Sequence, residues 1–217
     1  MTNPHDHDLP PLLEARGLAF AREDEPIFGP LDFRVDSGTA LAIEGGNGAG
    51  KTTLIRVLAG LLAPSAGTLL WRGESYEKLQ PAPGRFALLG HQLGLKPDLT
   101  PLEHLRFRVA LEGMRPNITP AAALRSVGLE GYETLPVRML SAGQRKRTAL
   151  AALLLSTASL WLLDEPYANL DREGQVLVDR MLETHCRREG AAILTSHGLV
   201  APGVSRLSTL ALRGARA

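Results

Sequence analysis

Apolar residues along the chain fall into short runs that alternate with longer segments of helical character. The short runs are rich in Leu, Ile and Ala and are bounded by turn-forming residues, which is typical of strands. They predict strands at residues 12–20, 31–35, 40–43, 68–71, 86–89, 160–163, 191–195 and 207–212. Helices are predicted at residues 52 to about 61, 141–155 and 171–190. Strands separated by helices favour an α/β fold with a mainly parallel sheet.

The middle third of the chain, from about residue 90 to residue 141, has a helical pattern. Thr100, Pro101 and Glu103 have the spacing of a capping box with proline at the first helical position. This arrangement satisfies free N–H groups at a helix start, so it predicts a helix beginning at Pro101. We therefore expect a helical insertion in the α/β fold.

Composition and charge narrow the class of protein. The 217 residues include 24 Lys and Arg against 23 Asp and Glu, which gives a formal net charge of +1. This balance provides no bulk attraction to nucleic acid or anionic lipid, so we expect no nucleic-acid partner. Because Cys186 is the single cysteine, an intrachain disulfide and a thiolate zinc cage are excluded. The apolar pattern also predicts neither a secretory signal nor a transmembrane helix.

A phosphate-binding loop follows the strand at residues 40–43. The segment matches the pattern G-x-x-x-x-G-K-[ST] and lies between a predicted strand and a predicted helix. In such a loop, converging main-chain N–H groups and the positive end of the helix bind phosphates. We expect Lys51 to reach the β- and γ-phosphates of ATP and the Thr52 hydroxyl to ligate Mg²⁺. The predicted ATP-binding residues here are Gly45, Gly46, Asn47, Gly48, Ala49, Gly50, Lys51, Thr52 and Thr53.

An acidic pair, Asp164 and Glu165, ends the apolar strand at residues 160–163. Alone, such a pair would be an ordinary solvated loop, but the phosphate-binding loop changes this interpretation. A Mg²⁺–ATP site needs a carboxylate for the metal and a base for the attacking water. We expect Asp164 to hold Mg²⁺ and Glu165 to accept the proton of water.

A third motif, Leu140-Ser141-Ala142-Gly143-Gln144, precedes the helix that leads into this acidic strand. Read locally, Ser141 and Gln144 form a capping box. In the order phosphate loop, Ser-x-Gly-Gln and apolar Asp-Glu strand, however, the chain resembles the ATP-binding-cassette ATPases over nearly its whole length. The resemblance implies that Ser141, Gly143 and Gln144 complete the ATP site of a second copy, so that ATP binding produces a homodimer. Ala142 stands where the commonest form of this signature has glycine.

The resemblance assigns roles to further residues. Gln92 matches the family's lid glutamine, which senses Mg²⁺, and Asp171 lies in the loop that touches the partner cassette. His197 matches the switch histidine, so the implied catalytic residues are Glu165, His197, Lys51 and Gln92, with Mg²⁺ held by Thr52, Gln92 and Asp164. The residue that stacks on adenine stays open between Arg22 and an unassigned residue. The family fold is a P-loop NTPase core with an antiparallel N-terminal β part, here one domain over residues 1–217 with a helical subdomain inserted at about 91–147.

Finer features of the chain are similar to the ATPase subunits of haem-exporter complexes in cytochrome c maturation. They are the segment Gly90-His91-Gln92-Leu93-Gly94-Leu95-Lys96, alanine in the signature, and Leu160-Trp161-Leu162-Leu163-Asp164-Glu165-Pro166. This likeness implies integral membrane subunits as partners and a peripheral position on the cytoplasmic face of a bacterial inner membrane. An ATPase for another transport substrate remains the alternative, and a soluble ATPase of the same family is a further one.

Overall fold

A computed structural model describes residues 10–76, 85–115, 118–196 and 204–214. The strands within these ranges are β1 Leu13–Arg22, β2 Glu25–Val35, β3 Ala40–Glu44, β4 Ala66–Trp71, β5 Glu74–Ser75, β6 Phe86–Leu89, β7 Leu160–Leu163, β8 Ala191–Ser196 and β9 Leu207–Ala211. The helices are α1 Lys51–Leu58, α2 Pro101–Glu112, α3 Pro120–Ser126, α4 Ala142–Leu155 and α5 Arg172–Arg187, with a 3₁₀ turn at Val137–Met139. Every strand and helix predicted from the pattern is present: β6 and β7 have the predicted bounds, and the other strands have at least one shifted end. No helix in the described ranges is both long enough and apolar enough to cross a membrane.

A parallel sheet in the order β6-β7-β8-β3-β9 forms the centre of the fold, which confirms the predicted α/β class. All residues of β7 and β8 are buried. Along β7, Trp161 and Leu163 pack into one apolar cluster, whereas Leu160 and Leu162 pack into another. Successive side chains of a strand point to opposite faces, so both faces of the sheet are covered. The carboxyl ends of these strands meet at one edge of the sheet. The glycine-rich loop after β3 and the acidic pair after β7 both begin at this edge.

The antiparallel N-terminal sheet has the order β2-β1-β4-β5. A two-residue turn, Glu23-Asp24, joins β1 to β2 with φ of 51° and 63°, as hairpin turns of this type require. This pairing starts β2 at Glu25, whereas the apolar pattern placed its start at residue 31. The intervening stretch contains Pro26 and Pro30. Proline within a segment argues against a strand, so the sequence pattern did not predict one there. Side chains from this sheet, α1 and the parallel sheet share one buried cluster.

The helical segment lies on the opposite face of the parallel sheet, where α3 and α4 contribute to the other cluster. The predicted capping box of α2 is present: Glu103 N donates to Thr100 Oγ1 at 3.2 Å, and Thr100 N donates to Glu103 Oε2 at 2.8 Å. Helix covers less of this segment than the pattern indicated, because residues 90–99 are irregular. Gly94 has a φ of 66° there, and Pro97 interrupts the run, so neither residue favours a helix.

Candidate functional site

The glycine-rich loop joins β3 to α1 at the carboxyl edge of the parallel sheet. Two of its glycines have backbone angles that other residues rarely adopt, with φ of 79° at Gly48 and 93° at Gly50. A Cβ at Gly45 would lie 2.5 Å from the Leu212 carbonyl oxygen, and one at Gly50 would lie 2.9 Å from Ile27 Cγ2. Glycine therefore lets this loop turn tightly while it packs against both sheets.

Lys51 begins α1 and folds back across the loop. Its side chain is buried, and Nζ donates hydrogen bonds to the carbonyl oxygens of Gly45 at 2.6 Å and Gly46 at 3.0 Å. The first turn of α1 contains no acidic residue, and the cap residue Gly50 offers no side chain to the free N–H groups. The Lys51 ammonium group and the N–H groups at the start of α1, which no side chain caps, therefore lie in one small region. This is the arrangement that binds phosphate.

The acidic pair follows β7 at the same edge of the sheet. Asp164 is 2% exposed, and its main-chain N–H donates to the Leu89 carbonyl oxygen at 2.7 Å. The Thr195 hydroxyl donates to Asp164 Oδ1 at 2.9 Å and accepts a hydrogen bond from Glu165 N at 2.8 Å. One buried hydroxyl from β8 thus orients both acidic residues. Thr195 was not identified from the sequence, because a threonine that ends a buried strand resembles an ordinary core residue. The one available signal was its position at the end of the strand predicted at residues 191–195.

The Ser-x-Gly-Gln signature forms the first turn of α4. Ser141 is the cap residue: its Oγ accepts from Gln144 N at 3.2 Å, and its N–H donates to Gln144 Oε1 at 2.9 Å. The local capping-box interpretation is therefore confirmed for the isolated chain. Ser141 is exposed, and a Cβ at Gly143 would lie 3.1 Å from the Asn169 carbonyl oxygen. The signature turn thus packs against the loop that follows the acidic pair.

That loop ends at Asp171, which caps α5. Asp171 Oδ1 accepts from Gly174 N at 2.8 Å and from Arg147 Nη2 at 2.9 Å. The hydrogen bond from Gly174 and the Arg147 guanidinium lower the pKa of this carboxyl group, so it is ionised at neutral pH. Asp171 therefore links the start of α5 to the signature helix within one chain.

Comparison with known proteins identifies this combination of motifs. Residues 28–168 match the family described as ABC transporter. The chain belongs to this family. A curated relative from Xanthomonas campestris pv. campestris (strain 8004), named cytochrome c biogenesis ATP-binding export protein CcmA, is 56% identical over 96% of this chain and 97% of its own length.

Solved structures of ABC proteins share the fold. A structure titled as the ATP binding subunit of an ABC transporter has a TM-score of 0.80 and 25% identity, covering 93% of this chain and 86% of its own. The dimeric ATP-binding cassette MJ0796, in a post-hydrolysis state bound to ADP and Pi, has a TM-score of 0.78 and 19% identity, with coverage of 91% and 94%.

The other site residues assigned by resemblance differ in their placement. Gln92 is exposed and follows β6 at the carboxyl edge of the sheet, on the same edge as the acidic pair. Arg22 is exposed at the end of β1. Phe20, the aromatic residue two positions before Arg22 on the same strand, is half-buried, and its ring stacks on Phe28 with centroids 6.2 Å apart, so it serves packing in this structure. His197 lies outside the described residues.

The residues assigned to Mg²⁺ offer oxygen donors of the kind that this ion prefers. The described residues contain no group of three or more His, Cys, Asp or Glu side chains that could hold a metal. Mg²⁺ in nucleotide sites needs only one or two protein oxygens, because phosphate and water supply the rest. The hydroxyl of Thr52, the carboxylate of Asp164 and the amide oxygen of Gln92 are hard oxygen donors of this kind, and Asp164 is already oriented by Thr195.

Proposed function

We propose that this chain is the ATP-hydrolysing subunit of a membrane ABC complex. It would power haem export, or release of haem from its chaperone, in c-type cytochrome biogenesis. The observation that carries the ATPase activity is the acidic pair held by Thr195 at the sheet edge from which the Lys51 loop also starts. The 56% identity to a protein named for cytochrome c biogenesis supports the biological role.

In this reaction, ATP binds with its phosphates in the glycine-rich loop. Lys51 moves from the two loop carbonyl groups to the β- and γ-phosphates, because phosphate oxygens bind an ammonium group more strongly than neutral carbonyls do. Glu165 accepts a proton from water as the water oxygen attacks the γ-phosphorus. The bond between that phosphorus and the bridging oxygen breaks, and ADP and phosphate leave. His197 is proposed to contact the γ-phosphate.

We assign Mg²⁺ to Thr52, Asp164 and Gln92. The bound ion would neutralise charge on the β- and γ-phosphates. The chain itself supplies the orientation of this site, since the Thr195 hydroxyl holds the Asp164 carboxylate and the Glu165 main chain together.

The complete site is proposed to need two copies of the chain. Within the described part of one chain, the hydrogen bonds made by Ser141 stay inside its own turn. Its exposed hydroxyl group, which accepts a hydrogen bond from Gln144 N, keeps its own proton to donate to a phosphate supplied by a second copy, at the positive end of α4. The dimeric cassette with ADP and Pi supports this arrangement. Gly143, Gln144 and Asp171 would lie at the same interface, and Arg22 would stack on adenine.

The partners are proposed to be integral membrane subunits that handle haem, with this chain bound peripherally on the cytoplasmic face of the inner membrane. Its contact with the membrane would be indirect, through those subunits. The alternative, an ABC ATPase for another transport substrate, predicts the same ATP site but different membrane partners.

Gene replacement in the native host separates these functions. Deleting the gene should remove haem-stained c-type cytochromes, and the wild-type gene should restore them. A gene carrying Lys51→Ala should not restore them, although its protein should still co-purify with the membrane subunits. Normal c-type cytochromes in the deletion strain would contradict the haem role and favour another transport substrate.

A further inference from the structure

Lys146 on α4 is a buried cation that the assigned machinery does not use. Its side chain is 4% exposed, although a lysine ammonium group loses strong hydration when it is buried. Burial lowers its pKa, and the carboxylates of Asp164 and Glu165 act in the opposite direction. The ammonium group therefore lies close to the acidic pair of its own chain.

The contact is directed at the main chain of Glu165. Lys146 Nζ donates a hydrogen bond to the Glu165 carbonyl oxygen at 2.8 Å. On the other side, Glu165 N donates to Thr195 Oγ1 at 2.8 Å. The polar main-chain groups of the proposed base are thus both bound by side chains from other elements, one from α4 and one from β8, and the carbonyl oxygen also accepts a hydrogen bond from Ala168 N at 3.2 Å.

Glu165 needs such support because its backbone conformation is unfavourable. Its φ is 49°, in the left-handed region that favours glycine. A residue other than glycine stays in that region only when its surroundings hold it there. The direction of the Glu165 side chain follows from this backbone conformation, so whatever fixes the main chain also aims the carboxylate.

Packing alone gives no reason for a lysine at this position. Ala149, Leu150 and Leu153, which lie three, four and seven positions after Lys146 and so share its side of α4, are buried and apolar. Removing one charged partner from a buried contact leaves the groups that faced it uncompensated, which is destabilising. A methionine at position 146 would fill a similar space but would leave the acidic pair without this cation, so the lysine serves a polar contact and not packing.

We propose that Lys146 is a positioning residue for ATP hydrolysis, which fixes the main chain of Glu165 so that its carboxylate faces the attacking water. The inference rests on the proposed ATPase function and on Glu165 as the base. Lys146 contacts no reacting atom in this scheme. Ser141 caps α4 and lies about 7.5 Å along the helix axis from Lys146. The same helix therefore contacts the base and carries the signature turn.

The test compares Lys146→Met with wild type in purified full-length chain. We expect kcat to fall about tenfold to a hundredfold, as for a misplaced catalytic group. KM and the Kd for ATP should stay within about twofold, even though removing one partner of a buried polar contact lowers the unfolding midpoint. Lys146→Arg, which keeps a cationic donor, should recover most of the lost kcat. Arg125→Met removes an exposed cation from α3 and serves as the control with unchanged kcat.

Two results would overturn the proposal. One is a kcat for Lys146→Met equal to that of the Arg125→Met control. The other is a parallel loss of ATP affinity and thermal stability, which would make Lys146 a structural residue. Failure of the ATPase function itself looks different, because wild-type protein would then hydrolyse no ATP and Glu165→Gln would change nothing.

Discussion

The buried histidine His185 makes the stability of the fold depend on pH. Its ring stacks on Trp161 with centroids 3.9 Å apart. Nε2 lies 3.1 Å from the Ala191 carbonyl oxygen, and Nδ1 lies 3.2 Å from Arg115 Nη2. These contacts suit a neutral ring in which Nε2–H donates and Nδ1 accepts. A protonated ring would instead direct a second cation at the Arg115 guanidinium.

The size of the effect follows from the two pKa values. Burial, and then the charge of Arg115, lower the pKa of His185 from the ordinary 6.5 to about 4. Between these values the unfolded chain binds a proton that the folded chain does not, so stability falls as the pH falls. The loss should be about 2 kcal/mol on going from pH 7.5 to pH 5 and about 3 kcal/mol once the folded protein also titrates. Above about pH 7.5 His185 should contribute almost no pH dependence, because the ring is then neutral in both the folded and the unfolded chain.

Urea unfolding at pH 5, 6 and 7.5 measures this loss. His185→Gln is the matched variant, because an amide can donate to one partner and accept from the other without titrating. The variant should lose stability at every pH, yet its free energy of unfolding should change less between pH 7.5 and pH 5, by about 2 kcal/mol. An identical pH dependence in wild type and variant would refute the assignment of a neutral, buried His185.

Three further substitutions test the site and its support. Lys51→Ala should weaken ATP binding as well as turnover, and unchanged affinity by calorimetry would contradict the phosphate assignment. Thr195→Val should leave the Glu165 N–H without its partner, which should reduce kcat and lower the free energy of unfolding in urea by about 1–3 kcal/mol. Thr195→Ser keeps the hydroxyl, so it should retain both kcat and stability. Equal behaviour of the two variants would argue against the bridging hydroxyl. Tyr167→Phe removes a 2.7 Å hydrogen bond to Asp179 and should cost about 1.5–3 kcal/mol, with no such loss for the exposed Tyr132→Phe.

Local sequence patterns predicted those parts of the site that depend on local chemistry. The phosphate loop needs a positive φ at Gly48 and Gly50, and the signature turn needs a capping serine; both requirements are visible as residue types at fixed spacing. The start of β2 was not visible, because its first residues are paired by the β1 hairpin and not by an apolar pattern of their own.

Contacts between distant elements could not be predicted in the same way. The bridge from Thr195 to the acidic pair exists because β7 and β8 are neighbours in the sheet, and the hydrogen bond from Lys146 to Glu165 exists because α4 packs beside them. Strand order and helix placement arise from the whole fold, so neither residue stands out in the linear pattern. The functional roles of the site residues, with those of Gln92, Arg22 and His197 among them, stay predictions.

The central claim is that Glu165 is the base of an ATPase, and single-turnover hydrolysis by Glu165→Gln tests it most directly. Glutamine keeps the shape of the side chain but cannot accept the proton of water. With Mg²⁺ and ATP, the variant should hydrolyse at least about a hundredfold more slowly than wild type, bind ATP with unchanged affinity and accumulate as an ATP-bound dimer. Hydrolysis at the wild-type rate would contradict the account.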